Sequence, residues 1–497
     1  MAYTIVRRTP ATTAWRIQST QQQRTCRSTR KITTISTERR GSISQQQKDA
    51  SKQNCTEVDP AALPPLSALP TSMLLRSVFI NAISSKPFLL SPSLAILSAL
   101  SKPSRSWVLN VDRNPLLHSL LKATFYKQFC AGETGGEVTQ TMRRLREIGF
   151  RGTILTYAKE TVFDHRTNTE HGMGIASKED GEPAWCEEIA AWREGTLETV
   201  DLLEEGDQLA LKLTGAGPLA TSRLHTGAPP PRQLLSALRE ICQRARARGA
   251  RVIIDAESQR FQAGIERVGL HLMREHNRNR SAGGPAPALV YNTYQAYLKS
   301  TPARLAAHLG AAQDEGFTLG LKLVRGAYMA SDERRLICDS KQDTDAAYDG
   351  IAQGALRCRI GDFGGEGAGS RPFPSVDLLL AGHNEKSLRA AHALHAERVA
   401  GELPTVPVAF AQLHGMADGV SFGLVRRRDG EGRGPEVYKC STWGSLGECL
   451  AYLTRRAVEN RDAAGRTKEE YAALKREVGR RLGVVLRAPG RWFAGAK

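Results

Sequence analysis

From Gly152 onward, short apolar runs alternate with longer stretches whose apolar positions recur every three or four residues. The short runs are rich in Val, Ile, Leu and Tyr: TILTYA (153–158), QLALKLT (208–214), RVIIDAE (251–257), ALVYNTYQAY (288–297), TLGLKLVRGAY (318–328), VDLLLAGHN (376–384), VAFAQLHG (408–415) and VYKCSTWG (437–444). Runs that are apolar at consecutive positions read as strands buried on both faces, the pattern of a parallel sheet. Between them lie helical patterns, among them 233–249, 301–316 and 384–397. Eight strands alternating with helices predict a (β/α)8 barrel of the TIM type. The doubly wound open sheet is the alternative, but no glycine fingerprint follows the first strand. The Gly-rich stretches 361–370 and 426–434 read as inserted surface loops.

Outside this region the pattern changes. Residues 1–45 are rich in Arg, Ser, Thr and Gln and poor in acid, which suits a disordered mitochondrial targeting segment, with a plain basic tail as the alternative. Residues 46–73 read as a linker, and 74–150 as a helical arm that must pack on something. The barrel is expected over 151–460, followed by a basic helix and tail over 461–497. The longest apolar run, Phe88 to Leu100, is interrupted by Pro92 and is shorter than the roughly 18–20 residues of a membrane span.

The net charge of +18 resembles that of a nucleic-acid-binding protein. Its distribution argues otherwise: residues 1–50 and 461–497 carry most of it, and the middle is close to balanced. No nucleic-acid partner is expected. Nine scattered cysteines without a C-x-x-C pair point to reduced thiols rather than a disulfide framework or zinc site. No metal site is expected, and His392 and His395 read as ordinary surface residues of a helix.

In a barrel, the strand C-termini and the loops after them form the active face. Polar residues gather there: Lys212, Asp255, Glu257, Gln295, Lys322, Arg325, Tyr328, His383, Asn384, Gln412 and His414. A lysine or aspartate inside an otherwise apolar strand is costly unless paired, so Lys212 and Asp255 stand out. The mouth carries more positive than negative charge, suiting an anionic ligand. After the last strand, a helical pattern over 445–460 places Tyr452, Arg455, Arg456 and Glu459 on one face. Two adjacent guanidinium forks suit a carboxylate or phosphate. Taken alone, such a helix face reads as solvated and salt-bridged; its place after the last strand turns it toward the mouth.

Six segments in register carry a resemblance: D-A-E at 255–257, Y-Q-A-Y at 294–297, K-L-V-R-G-A-Y-M at 322–329, H-N at 383–384, Q-L-H-G-M-A-D at 412–418 and Y-L-x-R-R-x-x-E-N at 452–460. Together they resemble the flavin-dependent proline dehydrogenases (proline oxidases), most of all the fungal mitochondrial type. The resemblance covers roughly 150–460. It implies FAD-dependent oxidation of L-proline to Δ1-pyrroline-5-carboxylate by hydride transfer to flavin N5, the first step of proline catabolism to glutamate. It further implies non-covalent FAD, ubiquinone as electron acceptor, and peripheral contact with the matrix side of the inner mitochondrial membrane.

Carried over by motif, Arg455, Arg456 and Lys212 hold the proline carboxylate, and Glu459 orders the arginines. Asp255, Tyr328, Leu413 and Tyr452 wall the proline ring. Gln295, Lys322, Val324, Gly326, Ala327, His383, Asn384 and Gln412 contact FAD, with Lys341 as a phosphate contact and small Gly326 and Ala327 admitting the flavin ring close to backbone. Two positions depart from the pattern. Cys440 stands where many members carry tyrosine, which leaves hydroxyproline dehydrogenase as an alternative, and Gly382 stands where threonine is common.

Overall fold

A computed structural model describes residues 63–101, 107–157, 162–164, 169–171, 185–278, 286–329, 331–427, 434–459 and 464–486. The targeting segment expected over 1–45, most of the linker and the tip of the 426–434 loop lie outside them. Within them, eight parallel strands close into a barrel. They are β1 Gly152–Tyr157, β2 Gln208–Leu211, β3 Arg251–Ile254, β4 Val290–Gln295, β5 Leu319–Val324, β6 Val376–Ala381, β7 Val408–Leu413 and β8 Glu436–Trp443. Closure joins β1 to β8 with Ile154 opposite Cys440, and β1 to β2 with Thr156 opposite Ala210. All eight strands fall on the apolar runs read from the sequence.

Both faces of each strand are buried, which explains why the runs are continuous rather than alternating. Leu209, Leu211, Val252, Ile254, Leu378, Leu380 and Phe410 join the large outer core under the helices. Ala210, Ile253, Leu379, Ala409 and Ala411, at the alternate positions, fill the barrel interior with Ile154, Tyr291 and Tyr438. At the N-terminal mouth Arg251 donates to the Tyr291 hydroxyl at 3.1 Å, and that hydroxyl lies 3.4 Å from Asp377. The lower end is therefore a packed polar plug, and ligands have the C-terminal mouth.

The arm begins at Thr71 rather than 74, after a short turn Pro65–Ala68. Its helices are Thr71–Ser84, Pro87–Leu100, Pro115–Leu121 (which continues through a wide turn, Lys122–Tyr126) and Gly135–Glu147. Pro92 does not break the second helix but sits inside it. The last helix belongs with the barrel: its Val138, Met142 and Leu145 are buried in the outer core.

Of the basic helix and tail expected over 461–497, the described part is a 23-residue helix, Ala464–Leu486, packed against the arm, and 487–497 lie outside the described residues. Arg481 donates to the carbonyl of Leu69 at 2.7 Å and to the Thr71 hydroxyl at 3.0 Å, and Glu477 holds Arg480 and Arg481 at 2.7 Å. Glu470 accepts from the backbone N–H of Asp418 at 3.1 Å, at the start of helix Asp418–Val425. Burial and neighbouring Asp418 push its carboxyl up to about 7. His392 and His395, expected at the surface, are half-buried. His392 packs edge-on against Phe410 and burial lowers both imidazoles, because their helix lies flat on β7.

Candidate active site

The polar residues singled out in the sequence occupy one end of the barrel. Lys212 and Asp255 each follow the last residue of a strand, β2 and β3, while Gln295, Val324 and Leu413 are the last residues of β4, β5 and β7. Strand direction alone brings them to the C-terminal mouth, and register sets them side by side: Gln295 pairs with Val324, Gln412 with Lys439, and Leu413 with Cys440.

At the centre is an ion network. Asp255 Oδ1 lies 2.6 Å from Lys322 Nζ, and its Oδ2 lies 3.6 Å from Lys212 Nζ. Both lysines are buried, at 6% and 8% exposed. Among these three buried groups two ammonium groups face one carboxylate, so they favour an anion over a cation in a low-dielectric setting. Asp255, expected only to wall the ring, also ties the two lysines together. Cys440 faces the same cluster: burial pushes its thiol up, Lys322, Asp255 and Lys212 act on it, and its Sγ lies 4.0 Å from Thr156 Oγ1. Beside it Leu413 is 43% exposed, a leucine left open at the mouth, and Tyr328 is buried.

Around the rim, several buried polar atoms have no hydrogen-bond partner among the described residues: Gln295 Oε1, both side-chain amide atoms of Gln412, and Arg325 Nη1. Buried polar groups are normally satisfied, so a run of orphans at one mouth fits a ligand that carries matching donors and acceptors. Gln295 is aimed by donating to the Glu257 carbonyl at 3.2 Å. The buried Glu257 carboxylate accepts from both the backbone N–H (3.1 Å) and the hydroxyl of Thr214. Glu257 therefore braces the β2 and β3 loops instead of facing a ligand.

Other expected contacts resolve in different ways. His383 Nε2 accepts the Leu413 N–H at 3.1 Å, and Asn384 caps the helix Glu385–Ala400 by accepting from Ser387 N–H at 3.3 Å. Both side chains are thus oriented by backbone at the β6 and β7 ends. Lys341 begins the helix Lys341–Leu356 and pairs with Asp345, which also holds Arg325 at 2.8 Å. Arg325 was absent from the candidate contacts, yet its guanidinium also donates to Ser387 Oγ at 2.8 Å and lies 4.2 Å over the Tyr348 ring. Its signal was present in the chain: a charged residue directly after a strand end and before a glycine. Gly326 has φ +145°, and a Cβ there would come within 2.5 Å of the Tyr297 ring. That contact alone requires glycine, and Ala327 follows it with part of its surface exposed.

Past β8, the helix Leu446–Glu459 carries Tyr452, Arg455, Arg456 and Glu459 in the order the spacing predicted. Leu446, Cys449, Leu450 and Leu453 form a separate face of it, packed against Val111, Tyr126 and Cys130 of the arm. Tyr452 is half-buried; the side chains of Arg455, Arg456 and Glu459 lie outside the described residues.

Fold and site together define a (β/α)8-barrel enzyme whose reactive mouth is cationic and furnished with unmatched amide groups. Residues 138–469 match the family model described as proline dehydrogenase. Curated relatives include hydroxyproline dehydrogenase of Rattus norvegicus (29% identical, covering 83% of this chain and 92% of that one) and of Bos taurus (30% identical, 82% and 90%). A probable mitochondrial proline dehydrogenase of Schizosaccharomyces pombe is 29% identical, covering 82% of this chain and 88% of the relative. Among solved structures, proline utilization A from Bdellovibrio bacteriovorus, inactivated by N-propargylglycine, superposes with a TM-score of 0.55 at 16% identity over 78% of this chain; the chain spans 38% of that larger protein. The chain belongs to the proline dehydrogenase family and is an oxidoreductase.

The ion network makes a prediction. Asp255→Asn leaves two buried ammonium groups without their carboxylate, and stability should fall by about 3–5 kcal/mol in denaturant unfolding. Adding Lys322→Met should recover part of that loss, because it removes one of the stranded charges. Equal losses in the single and double variants would show that the three groups do not act as one network.

Proposed function

We propose that the protein oxidises L-proline to Δ1-pyrroline-5-carboxylate with non-covalently bound FAD, and that the electrons pass on to ubiquinone. The observation that carries this reading is the buried Lys212–Asp255–Lys322 network set among the unpartnered polar atoms of Gln295, Gln412 and Arg325. A flavin ring edge, with its alternating carbonyl and nitrogen groups, is the kind of partner those amides lack. Gln295, Lys322, Val324, Gly326, Ala327, His383, Asn384 and Gln412 would hold it, with Arg325 and Lys341 on the side of its phosphates. When bound, FAD supplies the two-electron acceptor for a hydride from proline C5.

The chain's own residues do the rest. Arg455, Arg456 and Lys212 take the substrate carboxylate, and fixing that group fixes which ring carbon is presented for reaction. Glu459 keeps the two guanidinium groups apart and oriented. Tyr328, Leu413 and Tyr452 wall the ring and exclude water, while Asp255 holds Lys212 and Lys322 in place. Lys322 places positive charge where an electron-rich ring is favoured. As the C5–H bond breaks, a C5=N bond forms and the nitrogen proton leaves for solvent. The surrounding cations favour the neutral amine from which that reaction starts, so no dedicated strong base is required.

Cys440 supports a second reading, oxidation of hydroxyproline. A thiol is smaller than the phenol that many members carry, and it faces the site beside Leu413, which leaves room for a ring hydroxyl. The hydroxyproline dehydrogenases among the relatives agree with it.

We place the protein in the mitochondrion, at the matrix side of the inner membrane. Relatives bearing mitochondrial names support the compartment. Contact with the bilayer is supported by exposed Phe88, Ile96, Trp107, Leu116 and Leu120 on the arm. Exposed Lys86, Arg113 and Lys127 flank them, the composition of an interfacial helix over anionic lipid. No single described helix is long and apolar enough to cross a membrane.

Replacing either guanidinium tests the carboxylate assignment: Arg455→Met or Arg456→Met should raise the KM for L-proline by about 100-fold, the loss of a charge-assisted fork, with flavin still bound. Unchanged KM in both would remove it. Steady-state turnover of L-proline against trans-4-hydroxy-L-proline with a quinone acceptor decides the substrate; a higher kcat/KM for proline is expected, and the reverse order would favour the second reading.

A further inference from the structure

The helix that carries the arginine pair is held at its start by the arm. Helix N-termini leave several N–H groups without an internal partner, and side-chain oxygens that accept from them fix the helix in place. Here two carboxylates from outside the barrel do so. Glu133 accepts from Leu446 N–H at 2.9 Å, and Asp112 from Gly447 N–H at 3.0 Å. The approach of Asp112 is close enough that a Cβ on residue 447 would meet its Oδ2 at 2.3 Å and push the carboxylate aside. Around them the arm is sewn to the end of β8: Tyr126 donates its hydroxyl to the Gly444 carbonyl at 2.7 Å, and Ala131 N–H donates to Thr442 O at 2.8 Å.

Glu133 is itself tightly oriented, with Lys122 Nζ at 2.6 Å and His118 Nε2 at 3.0 Å. Asp112, His118 and Glu133 are close enough together to suggest a metal site. The backbone N–H groups of Leu446 and Gly447 take Glu133 Oε1 and Asp112 Oδ1, and Lys122 and His118 take Glu133 Oε2, so these carboxylates act as a helix clamp. Negative charge at this point also complements the positive end of the helix dipole.

We propose that Asp112 and Glu133 are positioning residues for substrate binding: by gripping the N-terminus of helix Leu446–Glu459 they set its tilt, and so the place of Arg455 and Arg456 against the substrate carboxylate. This rests on the carboxylate reading of that arginine pair. The lever is long. Nine residues separate Leu446 from Arg455, about 13 Å of helix, so a tilt of about 5° at the clamp moves the arginine by about 1 Å. A misplacement of that size is enough to cost up to about 100-fold in a positioned reaction.

The test uses purified holoenzyme. The double variant Asp112→Ala/Glu133→Ala should raise the KM for L-proline by about tenfold or more while kcat changes by less than about threefold and flavin content stays at the wild-type level. Asp112→Asn/Glu133→Gln keeps an oxygen that accepts from each N–H and should return KM to within about threefold of wild type. If Asp112→Ala/Glu133→Ala lowers thermal stability but leaves KM unchanged while Arg455→Met raises it, the clamp is structural only and the proposal is wrong. If Arg455→Met also leaves KM unchanged, the carboxylate reading itself fails and takes the proposal with it. Should Asp112→Ala/Glu133→Ala not fold, Tyr126→Phe, which removes a single hydrogen bond to Gly444, carries the test: a KM increase of about threefold supports the clamp, and an unchanged KM overturns it.

Discussion

Three charges buried at the ends of adjacent or nearly adjacent strands govern how this mouth is built. Asp255 at the end of β3 sits between Lys212, after β2, and Lys322, within β5. Taking such charges out of water is expensive, and only close mutual pairing makes it tolerable. Pairing requires that the strands end at matched heights, which the parallel register of a closed barrel enforces. The network is therefore both a consequence of the fold and a constraint on it. The two lysines it gathers put positive charge at the mouth.

That charge is not enough to orient a small substrate. The helix after β8 supplies two more arginine positions, and it is the element least secured by the barrel itself. Its apolar stripe, Leu446, Cys449, Leu450 and Leu453, packs on the arm, and its first N–H groups bond to arm carboxylates. The C-terminal helix in turn ties the arm down through Arg481 and reaches the β7 loop through Glu470. Segments that lie outside the eight βα units thus converge on the loops that shape the mouth.

The barrel was legible in the chain because a strand buried on both faces leaves an unmistakable run, and each of the eight runs became a strand. The site was legible to the extent that it lies at strand ends: a lysine or aspartate closing an apolar run marks itself. Contacts set by distant chain segments were not legible. Nothing local announces that Glu257 answers Thr214, that Gly326 is glycine because of Tyr297, or that Asp112 caps a helix more than 300 residues away. His392 and His395 were misread because a helix pattern shows which positions share a face but not how deeply a neighbour covers it. Pro92 interrupts the apolar run yet lies inside the helix Pro87–Leu100, because a proline costs a helix a hydrogen bond without necessarily ending it.

The central claim is that this mouth holds a flavin and presents proline to it. The most direct test is the visible absorption spectrum of the purified protein under anaerobic conditions, before and after L-proline is added. The account predicts an oxidised flavin band that bleaches on mixing with L-proline and returns when a quinone is supplied. A protein that carries no flavin, or one whose flavin band is unaffected by saturating L-proline and by hydroxyproline alike, would contradict it.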